Sequence, residues 1–237
     1  MQQQCYDYDE MWKTVYGKLQ KKGPVHRHIQ RICQKILQPL DYESVLDVGC
    51  GIGHNIPLLL NNKAIKYFSG VDISDEALNN ARQDYPSFDF QCLDIEKEFL
   101  NKKHDLVFCS LVLEHVLDDE NALRNLYAMT KKYLFVVSIQ GDYKRYEKNE
   151  KLQGHVRNYS RGELVNKIEQ VGFKIIRKIE WGFPFYSPIG RMIYNLNPQK
   201  GMGEFNFMAR FIANVLYLVY SLNLFHRGDI IIILAKV

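Results

Sequence analysis

Three acidic side chains in this sequence each stand at or near the end of an apolar run. Asp47 lies within residues 45–55, VLDVGCGIGHN, two places before the first of three glycines at 49, 51 and 53. Asp72 closes the run from 67 to 71, and Asp94 follows the run from 88 to 93. Val45, Leu46 and Val48 are of buried-strand type and a helix-like segment starts near Ile56, so the order is strand, glycine turn, helix. Glycines at such a turn let the backbone take positive φ and let a ligand rest on the main chain. The free N–H groups of the helix start favour an electron-rich ligand there. The turn is built for a nucleotide-like molecule.

The surroundings of the turn narrow the choice. A dinucleotide fingerprint wants a third small residue three places after the second glycine, for helix–strand packing, and that place is His54. Asp47 can hold a ligand ammonium, which nicotinamide dinucleotides lack. Asp72, at the tip of the neighbouring strand, can accept both hydroxyls of a ribose. Asp94 is placed to meet an adenine amino group. Amino acid, ribose and adenine together describe S-adenosylmethionine.

The segments VLDVGCGIGHN, SGVDIS, CLDIE, HDLVFCSLVLEHVLD and GHVRNYSRGELVNKIEQVGF resemble the successive motifs of class I S-adenosylmethionine-dependent methyltransferases. The likeness is to the small-molecule branch, with the ubiquinone-biosynthesis O-methyltransferases and natural-product and sugar methyltransferases, and covers roughly residues 45–173. With this resemblance the expected cofactor contacts are Asp47, Gly49, Cys50, Gly51, Asn55, Asp72, Ile73, Leu93, Asp94, Ile95, Ser110 and Leu111. In the family an Arg or His of the N-terminal segment often meets the methionine carboxylate, which makes Arg27 the candidate among His26, Arg27, His28 and Arg31. A solvated polar helix face is the competing reading of those four.

Methyl transfer needs in-line approach to a methyl already activated by the sulfonium, so the protein mostly supplies proximity, and a base only where the acceptor must lose a proton early. Histidine is best poised for that near neutral pH. His115, in LEHVLD, and His155, in GHVRNYS, fall where the family borders the methyl group and the acceptor. Each could instead serve only to pack or to anchor its loop. Tyr143, Arg157, Tyr159, Phe185 and Tyr186 are the candidates for lining an acceptor pocket. CSLVLEHV lacks the Asn/Asp-Pro-Pro-Tyr/Phe pattern used on nucleobase amines, which disfavours that chemistry. No cluster of acids and amides of metal-ligand character is evident in the sequence, so no metal site is expected.

These residues need a scaffold. Strands read at 45–48, 66–72, 88–92, 105–110 and 132–139 alternate with helices at 56–62, 75–84 and 118–129. Such alternation predicts an α/β, Rossmann-like, doubly wound and mainly parallel sheet, with ligands at the carboxyl ends of the strands. A helix at 160–171, a strand at 173–181 and a last strand at 229–237 complete the pattern. The family likeness makes the sheet seven-stranded with the last strand antiparallel. The expected division is an N-terminal helical cap, 1–40, a core of 41–182 plus 228–237, and a helical insertion, 183–227. In the cap, helices read at 6–19 and 25–37.

At 237 residues, 46% hydrophobic and 24% charged, the chain fits one globular α/β domain with additions. A formal net charge of +4 is too small to argue for a nucleic-acid partner. The five cysteines are scattered and odd in number, which fits reduced thiols in the cytoplasm. MQQQCYDYDEMWK has no basic region followed by an apolar core, as a secretory signal would.

Within the insertion, MARFIANVLYLVYSLNLF reads as a helix with one polar stripe, Arg210, Asn214, Tyr217 and Ser221, that wants burial nearly all round. It is shorter than a membrane span needs. It could be a lid, a homodimer contact or a peripheral membrane contact through 207–225, or serve plain core packing. The activity expected is methyl transfer to a small-molecule acceptor, at oxygen first and nitrogen next. A nicotinamide-dependent oxidoreductase is disfavoured by His54 and Asp94. A non-catalytic binding module of the same fold is disfavoured by the intact set of acids and glycines.

Overall fold

The computed structural model describes residues 6–16, 22–61, 65–197 and 206–237. Two helices precede the sheet, α1 (Tyr8–Thr14) and α2 (Pro24–Leu37). Strand β1 (Ser44–Val48), helix α3 (Ile56–Leu60), β2 (Tyr67–Asp72), α4 (Asp75–Asp84), β3 (Asp89–Cys92), β4 (His104–Ser110), α5 (Asp119–Met129) and β5 (Thr130–Ile139) then alternate. They are followed by α6 (Glu147–Leu152), α7 (Glu163–Gln170), β6 (Lys174–Trp181), α8 (Arg191–Leu196), α9 (Phe207–Tyr220) and β7 (Ile230–Lys236). The short helix α6 was not anticipated in the sequence.

All the strands form one sheet in the order β3-β2-β1-β4-β5-β7-β6. Pairings are parallel from β3 to β5, and β7 runs antiparallel to both neighbours. The strand order reverses between β1 and β4, so the crevice for a ligand opens at their carboxyl ends. Side-chain alternation gives each face of the sheet its own core. Val45, Leu106, Phe108, Phe135 and Ile232 face α2 and its Ile29, Ile32 and Ile36. Leu46, Val48, Val107, Val136 and Ile233 face the opposite way, towards Leu123 and Leu126 of α5 and Leu164 and Ile168 of α7.

Helix starts near the crevice are fixed by side-chain caps. The Ser74 hydroxyl accepts from the backbone N–H of Ala77, and Asp118 accepts from that of Asn121.

The insertion departs from expectation. Of α9, only Ala213 and Tyr220 are buried, while Phe207, Met208, Phe211, Ile212, Val215 and Leu218 are exposed. The helix lies on α2 with its other face outward, so the expectation of burial nearly all round is corrected. The sequence pattern shows apolar faces but not which of them meets protein.

Candidate active site

The glycine turn adopts the conformations its residue types allow. Gly49, Gly51 and Gly53 have φ of +67°, +53° and +81°. Gly49 and Cys50 donate their N–H groups to the carbonyl of Val71, at 2.8 and 3.0 Å, which ties the turn to the end of β2. Asp72 tightens the same junction: one carboxylate oxygen accepts from Gly51 N at 2.8 Å, the other from Ser74 N at 2.9 Å. Burial raises its pKa, opposed by these backbone hydrogen bonds.

Asp47 is fully buried, and neither oxygen has a partner at full hydrogen-bond geometry, although the Asn55 amide lies close to the carboxyl. Its pKa is pushed well above the carboxylate range, first by burial and then by the Asp72 charge, with the Asn55 amide opposing. A buried carboxylate left without a partner is costly unless a cation meets it. The ammonium of S-adenosylmethionine is a cation of that kind, so the residues present fit this group.

Helix α1 covers the turn. A Cβ added at Gly51 would run into the Trp12 ring, so the glycine face lies directly against that indole. From there a line of aromatic edges continues: Trp12 to Tyr16 with centroids 5.3 Å apart, Tyr16 to His115 at 6.2 Å, His115 to His155 at 4.7 Å. Asp9 accepts from the Ser74 hydroxyl at 2.5 Å, fastening α1 to the start of α4.

His155 is buried, with Nδ1 2.5 Å from Oε2 of Glu150. Glu150 meets Nη2 of Arg191 at 2.5 Å through its other oxygen, and Arg191 reaches Asp229 at 2.6 Å. Burial pushes the Glu150 carboxyl up, yet the hydrogen bond and charge of His155 together with Arg191 leave it below its ordinary value. His115 has Nδ1 3.1 Å from the carbonyl of Gly154, and burial first, then the His155 charge, lower its pKa to about 3. Glu114 is buried. It accepts from the Ser138 hydroxyl at 2.8 Å through Oε2, and Oε1 has no partner in the structure. Burial raises the Glu114 pKa.

One ligand-type atom from each of Glu114, His115 and His155 lies within 4.8 Å of the others. With Nδ1 of both rings engaged, Nε2 is the nitrogen each has left to offer. The sequence reading expected no metal-ligand cluster, and this trio is the group among the described residues that could hold a cation.

The remaining candidates divide. Ser110 and Leu111 stand at the end of β4, where Leu111 takes φ +58°, a strained value for a branched residue, and donates its N–H to Val137. Ile73 is exposed beside Asp72, and Leu93 and Ile95 are buried next to Asp94. Asp94 accepts from Glu96 N and pairs with Lys97 at 2.8 Å. Tyr143 donates to the carbonyl of His155 at 3.0 Å and borders the histidine pair.

Other candidates are engaged in packing. Arg27 is turned to α9, donating to Asn214 at 2.9 Å with its guanidinium 4.0 Å from the Tyr217 ring centroid. Arg157 pairs with Asp119 at 2.7 Å, and the fully buried Tyr159 donates to the same carboxylate at 2.9 Å. Tyr186 is buried and stacks on Trp181, and Phe185 is partly buried against the same core. All five are engaged by neighbouring protein groups in this structure.

Sequence reasoning missed Trp12, Glu114, Glu150 and Arg191. Glu114 sat beside a chosen histidine and could have been noticed; the others come together only through the fold.

Residues 46–136 match the family described as "Methyltransferase domain". These residues form a class I S-adenosylmethionine-dependent methyltransferase domain. The chain is 34% identical over 153 residues to a ubiquinone biosynthesis O-methyltransferase of Coxiella burnetii, covering 59% of this chain and 62% of that one. It therefore spans less than two thirds of that relative. The fold of the methyltransferase domain and its flanks is shared with magnesium protoporphyrin IX methyltransferase of Synechocystis, solved with bound S-adenosylhomocysteine. There the TM-score is 0.58 at 19% identity, over 96% of this chain and 93% of that one. It is shared too with an S-adenosylmethionine-dependent methyltransferase of Mesorhizobium loti, TM-score 0.57, 16% identity, over 90% and 98%. The cofactor of the methyltransferase domain is S-adenosylmethionine, and the nicotinamide alternative is set aside.

Proposed function

We propose that this protein transfers a methyl group to a hydroxyl of a small organic acceptor, with His155 as the base. S-adenosylmethionine, when bound, supplies an activated methyl group on a sulfonium. Asp47 meets its ammonium, Asp72 its ribose and Asp94 its adenine, along the turn that the Trp12 indole covers. Glu150 fixes the His155 ring and stabilises the imidazolium formed when Nε2 takes the acceptor proton, a carboxylate–imidazole arrangement familiar from acid–base sites. The observation that carries this reading is the line of ring contacts from Trp12 on Gly51 through Tyr16 to His115 and His155, which links the glycine turn to the histidine pair. The O-methyltransferase name of the Coxiella burnetii relative supports oxygen over nitrogen. Free cysteines at 33, 50 and 109, all buried, support a cytoplasmic setting.

The test is formation of S-adenosylhomocysteine from S-adenosylmethionine with a panel of phenols, carboxylic acids and amines, for the wild type and His155→Ala. Turnover on hydroxyl acceptors that depends on His155 supports the reading. Turnover confined to amines overturns it. A second reading is favoured by the convergence of Glu114, His115 and His155 within 4.8 Å: these side chains would hold a divalent cation, which would supply Lewis-acid activation of an acceptor oxygen. Activity abolished by a chelator and restored by one metal would select this second reading.

A further inference from the structure

Arg191 is a buried charge to which the reaction proposed above gives no task. It belongs to α8, in the segment between β6 and β7, yet it is only 3% exposed. Its Nη1 donates to the Asp229 carboxylate at 2.6 Å and to the Gln140 carbonyl at 3.3 Å, and its Nη2 donates to Oε1 of Glu150 at 2.5 Å. The guanidinium also lies 4.2 Å from the centroid of the Tyr146 ring. These partners stand just after β5, in and before α6, and just before β7, so the guanidinium is held in one orientation from several elements.

What this does to Glu150 follows from donors and acceptors. A guanidinium only donates and stays charged, so it claims Oε1 as an acceptor. Glu150 is 1% exposed, and burial by itself drives its carboxyl to take a proton. With Arg191 in place the carboxyl stays ionised, and Oε2, 2.5 Å from Nδ1 of His155, can only accept. The proton in that contact then belongs to Nδ1, and the ring keeps its lone pair on Nε2. Without the guanidinium the sense reverses. A protonated Glu150 donates to Nδ1, the ring proton moves to Nε2, and no lone pair is left there to take a proton from an acceptor.

We propose that Arg191 is a positioning residue that sets the tautomer of His155: by holding one oxygen of Glu150 it makes the other an acceptor and leaves Nε2 bare. The segment between β6 and β7 thereby takes part in the chemistry through a buried guanidinium. The effect on turnover rests on the role proposed for His155, whereas the tautomer itself does not.

The test is heteronuclear NMR of the histidine ring nitrogens in the full chain, recorded with the ring neutral, which tells a protonated nitrogen from a bare one. The His155 signals are identified by their loss in His155→Ala. The wild type should show Nδ1 protonated and Nε2 bare. Glu150→Gln keeps the size of the side chain and is the decisive variant: Arg191 takes the amide oxygen, the NH2 group is left to face Nδ1, and the ring proton should move to Nε2. Arg191→Met should move it too, with kcat lowered by about 100-fold and KM for S-adenosylmethionine nearly unchanged. Arg191→Lys, which keeps a charged donor, should keep the wild-type tautomer. Calorimetric binding of S-adenosylhomocysteine checks that each variant is folded. A proton that stays on Nδ1 in Glu150→Gln, or in folded Arg191→Met, overturns the proposal. Turnover undiminished in His155→Ala would instead remove the base and leave the tautomer assignment standing, so the two failures are told apart.

Discussion

Nδ1 of His155 lies 2.5 Å from Oε2 of Glu150, in a buried pair whose far side is closed by Arg191. The pair fixes which imidazole nitrogen is free. His155→Ala should lower kcat by about 100-fold at neutral pH with cofactor affinity nearly unchanged, the usual scale of an acid–base contribution. Glu150→Gln should keep the ring in place yet lower kcat, because an amide no longer stabilises the imidazolium. Equal loss in His155→Ala and His115→Ala, with kcat unchanged in Glu150→Gln, would point to the cation reading.

Arg191→Met leaves Glu150 buried without its guanidinium. Breaking a buried pair in this way costs about 3–5 kcal/mol, so thermal unfolding should show a clear drop in Tm, and turnover should fall with it. This variant is sharper than excision of residues 185–226, because that segment also packs on the core. Tyr217 stacks on His28 at 4.1 Å and Tyr220 lies edge-on to Trp181. Excision should therefore unfold the protein, whereas Arg191→Met should leave S-adenosylhomocysteine binding measurable.

Much of this was legible in the sequence. The glycine turn and its three acids are set by local chemistry, since glycine takes those φ values without strain and a carboxylate at a strand end has few uses other than polar recognition. The sheet follows from alternation, down to two cores on opposite faces. The His155–Glu150–Arg191 chain was not legible, because Arg191 is 41 residues from Glu150 and such a pairing has no period to detect. For Tyr159 and Arg157 the sequence leaves the role open: a polar residue in a loop near a site looks the same whether it faces a ligand or Asp119. The burial of α9 was overestimated because apolar residues do not announce what they meet.

Asp47→Asn should stabilise the ligand-free protein and weaken its cofactor binding at the same time. The folded pKa of Asp47 lies well above its unfolded value of 3.8, so the folded state binds the extra proton, and stability is lost as pH rises from there through the folded pKa. An amide removes that loss. Differential scanning at neutral pH should give a higher Tm for Asp47→Asn, and titration should give an affinity lower by about tenfold or more.

His115 titrates with the opposite sign. Its pKa falls from 6.5 to about 3 on folding, so the unfolded chain binds more protons between those values and stability falls as pH drops below about 6.5. His104, lowered to about 4 chiefly by burial, adds to the same trend. Tm should decline on acidification from neutral pH, and His115→Gln should make the decline shallower. A wild type and variant with parallel Tm profiles would contradict this assignment.

The most direct test of the account is calorimetric titration of the wild type, Asp72→Ala and Asp47→Asn with S-adenosylhomocysteine, with Trp12 fluorescence recorded alongside. The Trp12 indole rests on Gly51, so cofactor binding at the turn should change its emission, and Trp12→Phe should remove that change. The wild type should bind, with an affinity at least about tenfold weaker in each aspartate variant, since a charge-assisted hydrogen bond contributes about 1.5–3 kcal/mol. Unchanged affinity in both variants, or a wild type that does not bind, would contradict it.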